Sequence, residues 1–280
     1  MLPVLEIVQR TTDFFAARGI ENARLNAELI IAHVLKLKRL DLYLQFDRPL
    51  EETELDPMRG LVHRRARREP LQYVLGEAAF GDLTLKVDSR ALIPRPETEE
   101  LVELVLNEFT DEGPFSILDL GTGCGAIALA LARQLPKADV TAVDANIDTL
   151  SLARENAVLC NLDIRITFIQ SDWFSKVDGS FDLIVANPPY LSETEWKSAQ
   201  PEVRDHEPRM ALVAPCEGKA ALLQIVNSAL GYLKPGAMLA LETGTAQHSD
   251  LAEASRAAGY SRSESRRDLS GRERFFLAWR

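Results

Sequence analysis

Residues 116–126, with the sequence SILDLGTGCGA, join an apolar strand-like run to a helical stretch through three closely spaced glycines. Glycine adopts positive φ without steric cost and lets the backbone approach a ligand, while the N-terminus of the following helix attracts negative charge. Asp144 ends the next apolar run, where its carboxylate can accept hydrogen bonds from two ribose hydroxyls. Together these features predict a strand–loop–helix crossover that binds a nucleoside cofactor rather than a turn that serves only packing.

On both sides of this crossover, apolar strand-like runs alternate with helical stretches. The strands are predicted over residues 116–120, 140–143, 164–168, 181–186, 237–241 and 274–279. The helices between them are predicted over residues 126–135, 147–159 and 217–232. This alternation predicts an α/β fold with a parallel, Rossmann-like sheet and helices on both faces.

The first seventy residues have a helical pattern instead. Apolar residues follow the i, i+3, i+4, i+7 spacing of one helix face at Ala27, Ile30, Ile31, Val34 and Leu35. Further helices are predicted over residues 40–46 and 52–68, before Pro70. This part of the chain is predicted to form a small all-α bundle.

A change of pattern at residue 71 separates the bundle from the sheet. Leu83, Leu85 and Val87 alternate with polar residues as in a half-buried strand, which predicts a β-hairpin connector. We therefore expect a helical domain over residues 1–72, a hairpin linker over 73–92 and the sheet domain over 93–280.

Composition and charge restrict the class of protein. The chain has 280 residues, 46% hydrophobic and 26% charged, with a mean hydropathy of −0.10. It has no apolar run long enough to span a bilayer, and charged residues interrupt its first thirty residues, unlike a signal peptide. Three widely separated cysteines favour a reducing compartment, the cytoplasm, and no metal site.

The net charge of −10 lies entirely in residues 91–280, because residues 1–90 are electrically neutral. A general nucleic-acid-binding protein would normally be basic. The charge therefore argues against a nucleic-acid substrate and for two modules.

A second distinctive stretch, Asn187-Pro188-Pro189-Tyr190, follows the strand-like run 181–186. The prolines fix φ and donate no N–H, so the neighbouring carbonyls stay free to accept hydrogen bonds beside the Asn187 amide oxygen and the flat face of Tyr190. This arrangement predicts a socket for a planar NH2 group. The alternative is a rigid turn that only ends the strand.

The identity of the cofactor is decided by the residues around the glycines, because the glycine run also satisfies the G-x-G-x-x-A pattern of nicotinamide dehydrogenases. Asp119 precedes the loop, where it would suit an amino group better than a pyrophosphate. Asp172 and Trp173 follow the third strand, where they would lie over an adenine, although Trp173 fits core packing equally well. The NH2 socket at Asn187 has no use in hydride transfer. These features favour S-adenosylmethionine.

The chain resembles the bacterial-type release-factor glutamine methyltransferases over essentially its full length. The matching segments are REPLQY at 68–73, LIPRPETE at 92–99, LDLGTG at 118–123, NPPY at 187–190 and DLSGR at 268–272. The resemblance implies a cytoplasmic enzyme that transfers a methyl group from S-adenosylmethionine to the glutamine amide in the Gly-Gly-Gln motif of peptide chain release factors. It implies no metal, no membrane and no nucleic-acid substrate, and a helical domain that recognises the protein substrate.

The resemblance also implies a role for individual residues. Cofactor binding falls to Asp119, Gly121, Thr122, Gly123, Cys124, Gly125, Asp144, Asp172, Trp173 and Asn187. Catalysis falls to Asn187, Pro188 and Tyr190. Substrate binding falls to Asn187, Pro188, Pro189, Tyr190, Arg95 and Glu97.

The sequence departs from the family at two places. Residues 216–220, CEGKA, replace the usual Gly-x-Asp-Gly-Leu, and residues 242–244, ETG, replace the usual Glu-His-Gly. We expect both to lie away from the chemistry. The basic residues Arg64, Arg65, Arg67 and Arg68 favour a solvated, salt-bridged helix face over a docking patch.

Four other functions remain open from the sequence. These are methylation of the exocyclic amine of adenine, methylation of a ribosomal-protein glutamine, dinucleotide-dependent oxidation and a catalytically silent binding module. The acidic sheet domain disfavours the first, and the stretch 94–98 is more typical of the release-factor branch than of the second.

Overall fold

The computed structural model of the protein describes residues 2–109 and 113–280. The α-helices in chain order are α1 (Val4–Ala16), α2 (Ala23–Leu35), α3 (Glu52–Ala66), α4 (Leu71–Leu75), α5 (Pro96–Glu108), α6 (Ala126–Gln134), α7 (Ile147–Leu159), α8 (Glu193–Ser198), α9 (Pro201–His206), α10 (Ala220–Ala229) and α11 (His248–Ala258). The strands are β1 (Glu77–Phe80), β2 (Leu83–Lys86), β3 (Ser116–Leu120), β4 (Asp139–Asp144), β5 (Ile166–Gln170), β6 (Phe181–Ala186), β7 (Leu233–Glu242), β8 (Arg262–Arg267) and β9 (Glu273–Trp279). Within the described residues, no helix has the length and apolar character needed to cross a membrane.

The chain forms two compact units. The helical unit comprises Met1–Gly76 together with the distant segment Pro201–His206, and the sheet unit comprises Glu77–Gln200 and Glu207–Arg280. The hairpin β1–β2 is part of the sheet unit. The predicted domain limits at residues 72 and 92 stay predictions.

The helical unit has an apolar core of its own. Val4, Val8 and Phe15 are fully buried along one face of α1, at the spacing that one helix face requires. Ile30 and Ile31 of α2 pack into this core. The predicted third helix is a 3-10 helix over Arg39–Leu44. Residues 71–75, where the sequence pattern changes, form the short helix α4 rather than part of the hairpin.

Three of the four arginines at the end of α3 bond within the helical unit. Arg64 pairs with Glu69 and donates to the Tyr73 carbonyl at 2.9 Å. Arg65 and Arg68 both pair with Glu202 of α9, at 2.8 and 2.7 Å. These bonds confirm the predicted salt bridges, but the expectation of a solvated face was wrong for Arg65, which is buried. The bonds to Glu202 also attach α9 to the helical unit.

The sheet unit is built on seven strands in the order β5-β4-β3-β6-β7-β9-β8. Strands β3 to β7 are parallel, and β9 pairs antiparallel with both β7 and β8. Successive strand residues alternate between two cores: Ile117 and Leu183 join one, Leu118 and Ile184 the other. The α/β fold predicted from the sequence is therefore confirmed.

The order of strands decides where a ligand can bind. β3 lies between β4 and β6 in the sheet. The chain leaves β3 for β4 on one side, and it later returns from β5 to β6 on the other side. In open α/β sheets, this reversal opens a crevice at the carboxyl ends of the strands. The loops that follow β3, β4, β5 and β6 all meet at that edge.

Candidate active site

A cavity of about 250 Å³ lies at the carboxyl edge of the sheet. Its lining residues come from the loops after β3, β4, β5 and β6, from the first turns of α6 and α7, and from the segments 90–98 and 208–211. They are Arg90, Ala91, Leu92, Ile93, Pro94, Arg95, Thr98, Gly121, Thr122, Gly123, Cys124, Ala126, Ile127, Asp144, Ala145, Thr149, Ser171, Asp172, Trp173, Asn187, Pro188, Pro189, Pro208, Met210 and Ala211.

The glycine loop after β3 has the backbone that the sequence predicts. Gly121, Gly123 and Gly125 have φ of 69°, 58° and 90°, a region that side chains rarely adopt. Gly121 and Gly123 line the cavity, whereas Gly125 does not. A Cβ on Gly125 would lie 3.1 Å from the Cδ1 atom of Leu129. Gly125 therefore serves close packing at the start of α6.

Asp119 lies beneath this loop rather than on the cavity wall. Its side chain is fully buried, and its Oδ2 accepts from the Thr122 hydroxyl at 2.6 Å and the Ala128 N–H at 3.2 Å. Its Oδ1 has no hydrogen-bond partner among the described residues. Burial raises the pKa of this carboxyl to about 7. Asp119 thus shapes the loop and is not a lining residue of the cavity. Its contact with a cofactor amino group, direct or through water, stays a prediction.

Asp144 lines the cavity at the end of β4. Its Oδ2 accepts from the Gly123 N–H at 3.1 Å and its Oδ1 from the Asn146 N–H at 2.9 Å. Burial raises the pKa of this carboxyl above its usual value. A carboxylate has about four lone-pair positions, so Asp144 retains acceptor capacity for ribose hydroxyls.

Asp172 and Trp173 line the cavity after β5. Trp173 has a positive φ of 47°, and its carbonyl accepts from the Ser171 hydroxyl at 2.8 Å. A Cβ on Gly121 would lie 3.5 Å from the Cζ3 atom of Trp173. The indole therefore lies against the glycine loop, while it also packs on the apolar core of one sheet face.

Asn187 lines the cavity after β6 and is held by α5 and β7. Its Nδ2 donates to the Thr98 hydroxyl oxygen at 3.0 Å, and that hydroxyl donates to Glu242 Oε2 at 2.6 Å. The Tyr190 hydroxyl donates to the other Glu242 oxygen at 2.9 Å. Our expectation that the stretch 242–244 lies away from the chemistry was therefore wrong, because Glu242 is two hydrogen bonds from Asn187.

Pro188 and Pro189 also line the cavity, but Tyr190 does not. The Tyr190 carbonyl accepts from Gln247 Nε2 at 3.0 Å. Burial raises the pKa of the Tyr190 hydroxyl. A Cβ on Gly218 would lie only 2.0 Å from that carbonyl oxygen. The second departure from the family, at 216–220, therefore packs directly on the NPPY stretch, so the expectation that it lies apart was also wrong.

The two residues of the 92–99 stretch that were predicted to bind substrate lie in different places. Arg95 lines the cavity and pairs with Glu207, whose other carboxylate oxygen accepts from the Ile93 N–H at 3.1 Å. Glu97 is not a lining residue, and it pairs with Arg272 at 3.5 Å.

Sequence reasoning missed several residues that hold the cavity wall. Asn156 of α7 is fully buried and donates to the Cys124 carbonyl at 2.9 Å and the Lys86 carbonyl at 3.0 Å. Thr149 of α7 donates to the Arg90 carbonyl at 2.7 Å. A polar residue inside a predicted helix carries no signal of such a contact. The only available signal was that Thr98 lies in the quoted 92–99 stretch, because Glu242 matches the family pattern and only Thr243 departs from it.

The donor set fits a nucleoside cofactor without a pyrophosphate. The two basic residues of the lining, Arg90 and Arg95, are both paired with carboxylates: Arg90 with Asp88 and Glu155, and Arg95 with Glu207. The lining therefore offers Asp144 for hydroxyl groups, the glycine loop for close approach and Trp173 for a flat ring, but no unpaired cation for a diphosphate. In residues 2–109 and 113–280, no group of His, Cys, Asp and Glu is arranged to hold a metal ion.

Two family descriptions match the chain: "PrmC N-terminal domain" over residues 6–76 and "Methyltransferase small domain" over residues 98–203. Among curated relatives, release factor glutamine methyltransferases are similar at high coverage. The protein from Chlorobaculum tepidum is 44% identical and covers 85% of this chain and 84% of its own. Those from Rhodopirellula baltica (37% identical, 97% and 94%) and Deinococcus radiodurans (39% identical, 98% of each) match nearly end to end.

Solved structures share the fold of the sheet unit. A methyltransferase from Pyrococcus furiosus has a TM-score of 0.53 at 20% identity over 72% of this chain and 90% of its own. A 16S rRNA methyltransferase from Thermus thermophilus, solved with AdoMet and guanosine, has a TM-score of 0.53 at 20% identity over 73% of this chain and 49% of its own. At this identity the likeness shows a methyltransferase fold and no substrate.

Proposed function

This chain belongs to the release factor glutamine methyltransferase family, and on that basis we propose that it methylates peptide chain release factors at the glutamine amide of their Gly-Gly-Gln motif, with S-adenosylmethionine as methyl donor. The observation that carries the proposal is the position of Asn187 and Pro188 on the wall of a cavity that also contains the glycine loop and Asp144. The proposed nucleoside site and the proposed NH2 socket would then share one cavity.

The cofactor half of the site uses residues after β3, β4 and β5. Asp144 would accept hydrogen bonds from the ribose, Gly121 and Gly123 would allow the ligand to approach the backbone, and Asp172 and Trp173 would hold the adenine. Asp119 keeps the loop in place through Thr122 and Ala128. When bound, S-adenosylmethionine supplies an electrophilic methyl group on a positively charged sulfur.

The substrate half of the site is the NPPY stretch. An amide nitrogen is a weak nucleophile because its lone pair is delocalised into the carbonyl. Asn187 Oδ1 and the Pro188 carbonyl each accept one N–H of the substrate amide, which fixes the face of the nitrogen and stabilises the positive charge that develops there. Tyr190 acts from behind the wall, through Glu242.

The site works by positioning rather than by proton abstraction. The lining among the described residues contains no histidine, and its cysteine, Cys124, is buried with a pKa raised to about 12. Alignment of the two reacting groups in a closed site can lower a barrier by about 7–11 kcal/mol in favourable cases. No strong base is then required.

A release factor as substrate implies an effect on translation termination and a cytoplasmic location. The charge of the chain supports a protein substrate, since residues 91–280 carry the net charge of −10. Adenine remains the chemically nearest competitor, because its exocyclic amine is also a planar NH2. Because of the negative charge of residues 91–280, we nevertheless expect no methylation of RNA or DNA.

The test is transfer of radiolabelled methyl from S-adenosylmethionine to intact release factors, with RNA and DNA in parallel and mass spectrometry of the product. Label on the Gly-Gly-Gln glutamine is the expected result. Label on nucleic acid only, or on another residue of the factor, would contradict the proposal.

Two variants separate the halves of the site. Asn187→Ala removes an acceptor for the substrate amide, so we expect turnover to fall about 100-fold or more while the cofactor Kd stays within about twofold. Asp144→Ala removes the ribose acceptor, so the cofactor Kd should rise first. Titration calorimetry measures both constants, and equal damage to binding and turnover by Asn187→Ala would refute its assigned role.

A further inference from the structure

Asn187 is connected to a buried carboxylate, Glu242, that does not line the cavity. Thr98 and Glu242 are only 4% and 1% exposed, and they link Asn187 to Tyr190 by hydrogen bonds of 3.0, 2.6 and 2.9 Å. The register of the sheet creates this contact. Ala186 of β6 pairs with Leu241 of β7, so the next residues along the two strands are Asn187 and Glu242.

The Glu242 carboxylate fixes the direction of each hydrogen bond that links Asn187, Thr98 and Tyr190. Burial raises the pKa of the Glu242 carboxyl, whereas the hydrogen bonds from Thr98 and Tyr190 and the charge of Arg274 lower it. In its ionised form the carboxylate accepts both bonds and cannot donate. The single hydroxyl proton of Thr98 is therefore committed to Glu242, and the Thr98 oxygen can only accept from the next group. Asn187 must then turn its NH2 towards Thr98, which leaves Oδ1 as the atom free to accept from another ligand.

This orientation matters because an asparagine amide is nearly symmetric in shape. Rotation by 180° about the last side-chain bond exchanges oxygen and nitrogen, and would present a donor to a substrate NH2 that needs an acceptor. We propose that Thr98 and Glu242 are positioning residues that hold the Asn187 amide with its oxygen available to the substrate amide. The inference rests on the proposed function, since it concerns how the same socket is oriented.

Thr98 lies on α5, whose start is set by Pro96 at the first helical position. Its backbone N–H donates to the Arg95 carbonyl at 3.0 Å, inside the first turn. The hydroxyl is therefore carried by a rigid element, and Tyr190 holds the second oxygen of Glu242. Asn187, Thr98, Glu242 and Tyr190 are thus joined by successive hydrogen bonds, so the arrangement specifies one orientation of the Asn187 amide.

The test compares Thr98→Val with Thr98→Ser. Valine has the shape of threonine without the hydroxyl, so the Asn187 NH2 loses its acceptor, whereas serine retains it. We expect Thr98→Val to lower kcat for release-factor methylation about 10- to 100-fold. KM for the factor and the cofactor Kd should stay within about threefold, and Thr98→Ser should keep most of the turnover. Glu242→Gln replaces one of the two acceptor oxygens with an NH2 donor at nearly constant volume, so the Thr98 and Tyr190 hydroxyls can no longer both donate to it, and kcat should also fall.

A control is Thr84→Val, since Thr84 is an exposed residue of β2 in the sheet unit and does not line the cavity. It should leave kcat unchanged. Labelling by the unaltered chain together with equal turnover of Thr98→Val and Thr98→Ser would overturn this inference alone. Equal loss of turnover and cofactor affinity in Thr98→Val would also overturn it, because the residue would then be merely structural. No labelling of any release factor by the unaltered chain would overturn the proposed function, and this inference with it.

Discussion

Asp119 is a buried carboxyl whose protonation should affect stability. Burial raises its pKa to about 7, against about 3.9 for an unfolded aspartate. Between these values the folded chain binds the proton more tightly, so this contribution to stability is complete below about pH 4 and is lost as the pH rises through about 7. We expect Asp119→Asn, which cannot titrate, to lose less thermal stability than the unaltered chain between pH 5 and pH 8. Calorimetric Tm values at several pH values measure this, and parallel curves would contradict it.

The sequence predicts those site residues whose role is indicated by the residues next to them along the chain. Asp144 ends an apolar run and Asn187 precedes two prolines, and both line the cavity as that placement implies. Thr98 and Glu242 could not be predicted in this way. Their link to Asn187 depends on the register of β6 against β7 and on the packing of α5, which bring together residues 89 and 144 positions apart along the chain.

At the scale of the element, the turn before α10 supports the NPPY stretch. Gly218 has φ of +80°, and a Cβ there would lie 2.0 Å from the Tyr190 carbonyl oxygen. We expect Gly218→Ala to cost more than about 2 kcal/mol of stability, from backbone strain plus this clash, and to reduce turnover. Gly236→Ala is the control: Gly236 has a similar φ of +78° with no atom near its Cβ position. Urea unfolding should separate the two variants, and equal losses would show that strain alone is responsible.

Strands that are buried on both faces are predictable because they read as continuous apolar runs. This is why β3, β6 and the centre of β7 were found from the sequence. β8 was not, since Arg262–Arg267 is a polar edge strand whose residues are exposed or half-buried. Residues 71–75 were also unclear, because five residues are too few to establish a helical period.

At the scale of the whole molecule, Glu202 of α9 is linked to the helical unit by ion pairs with Arg65 and Arg68. The Arg65 side chain is 6% exposed and pairs with Glu202, which is 137 positions later. We expect Glu202→Ala to cost about 3–5 kcal/mol, because a buried guanidinium would be left without its carboxylate. Glu193→Ala is the control. Its partner Arg209 is 57% exposed, so its loss should cost less than about 1 kcal/mol. Chemical denaturation measures both, and two small effects would contradict the assignment.

The sequence predicts a helical domain over residues 1–72, but not that a segment from beyond residue 200 joins it. Pro201–His206 is short, and its sequence PEVRDH has no apolar stripe that would mark a partner. Its membership rests on the contacts of Glu202 with Arg65 and Arg68, which only the folded chain brings together.

Because the helical unit combines residues from both ends of a long stretch of sequence, the order of synthesis on the ribosome affects how it folds. When residue 76 has been added to the nascent chain, the helical unit still lacks α9, which follows about 130 residues later. At about 5–20 residues per second, translation needs roughly 6–26 seconds to deliver it. During that interval the Arg65 guanidinium has no Glu202, so the N-terminal bundle waits for a late segment before its folding can be completed.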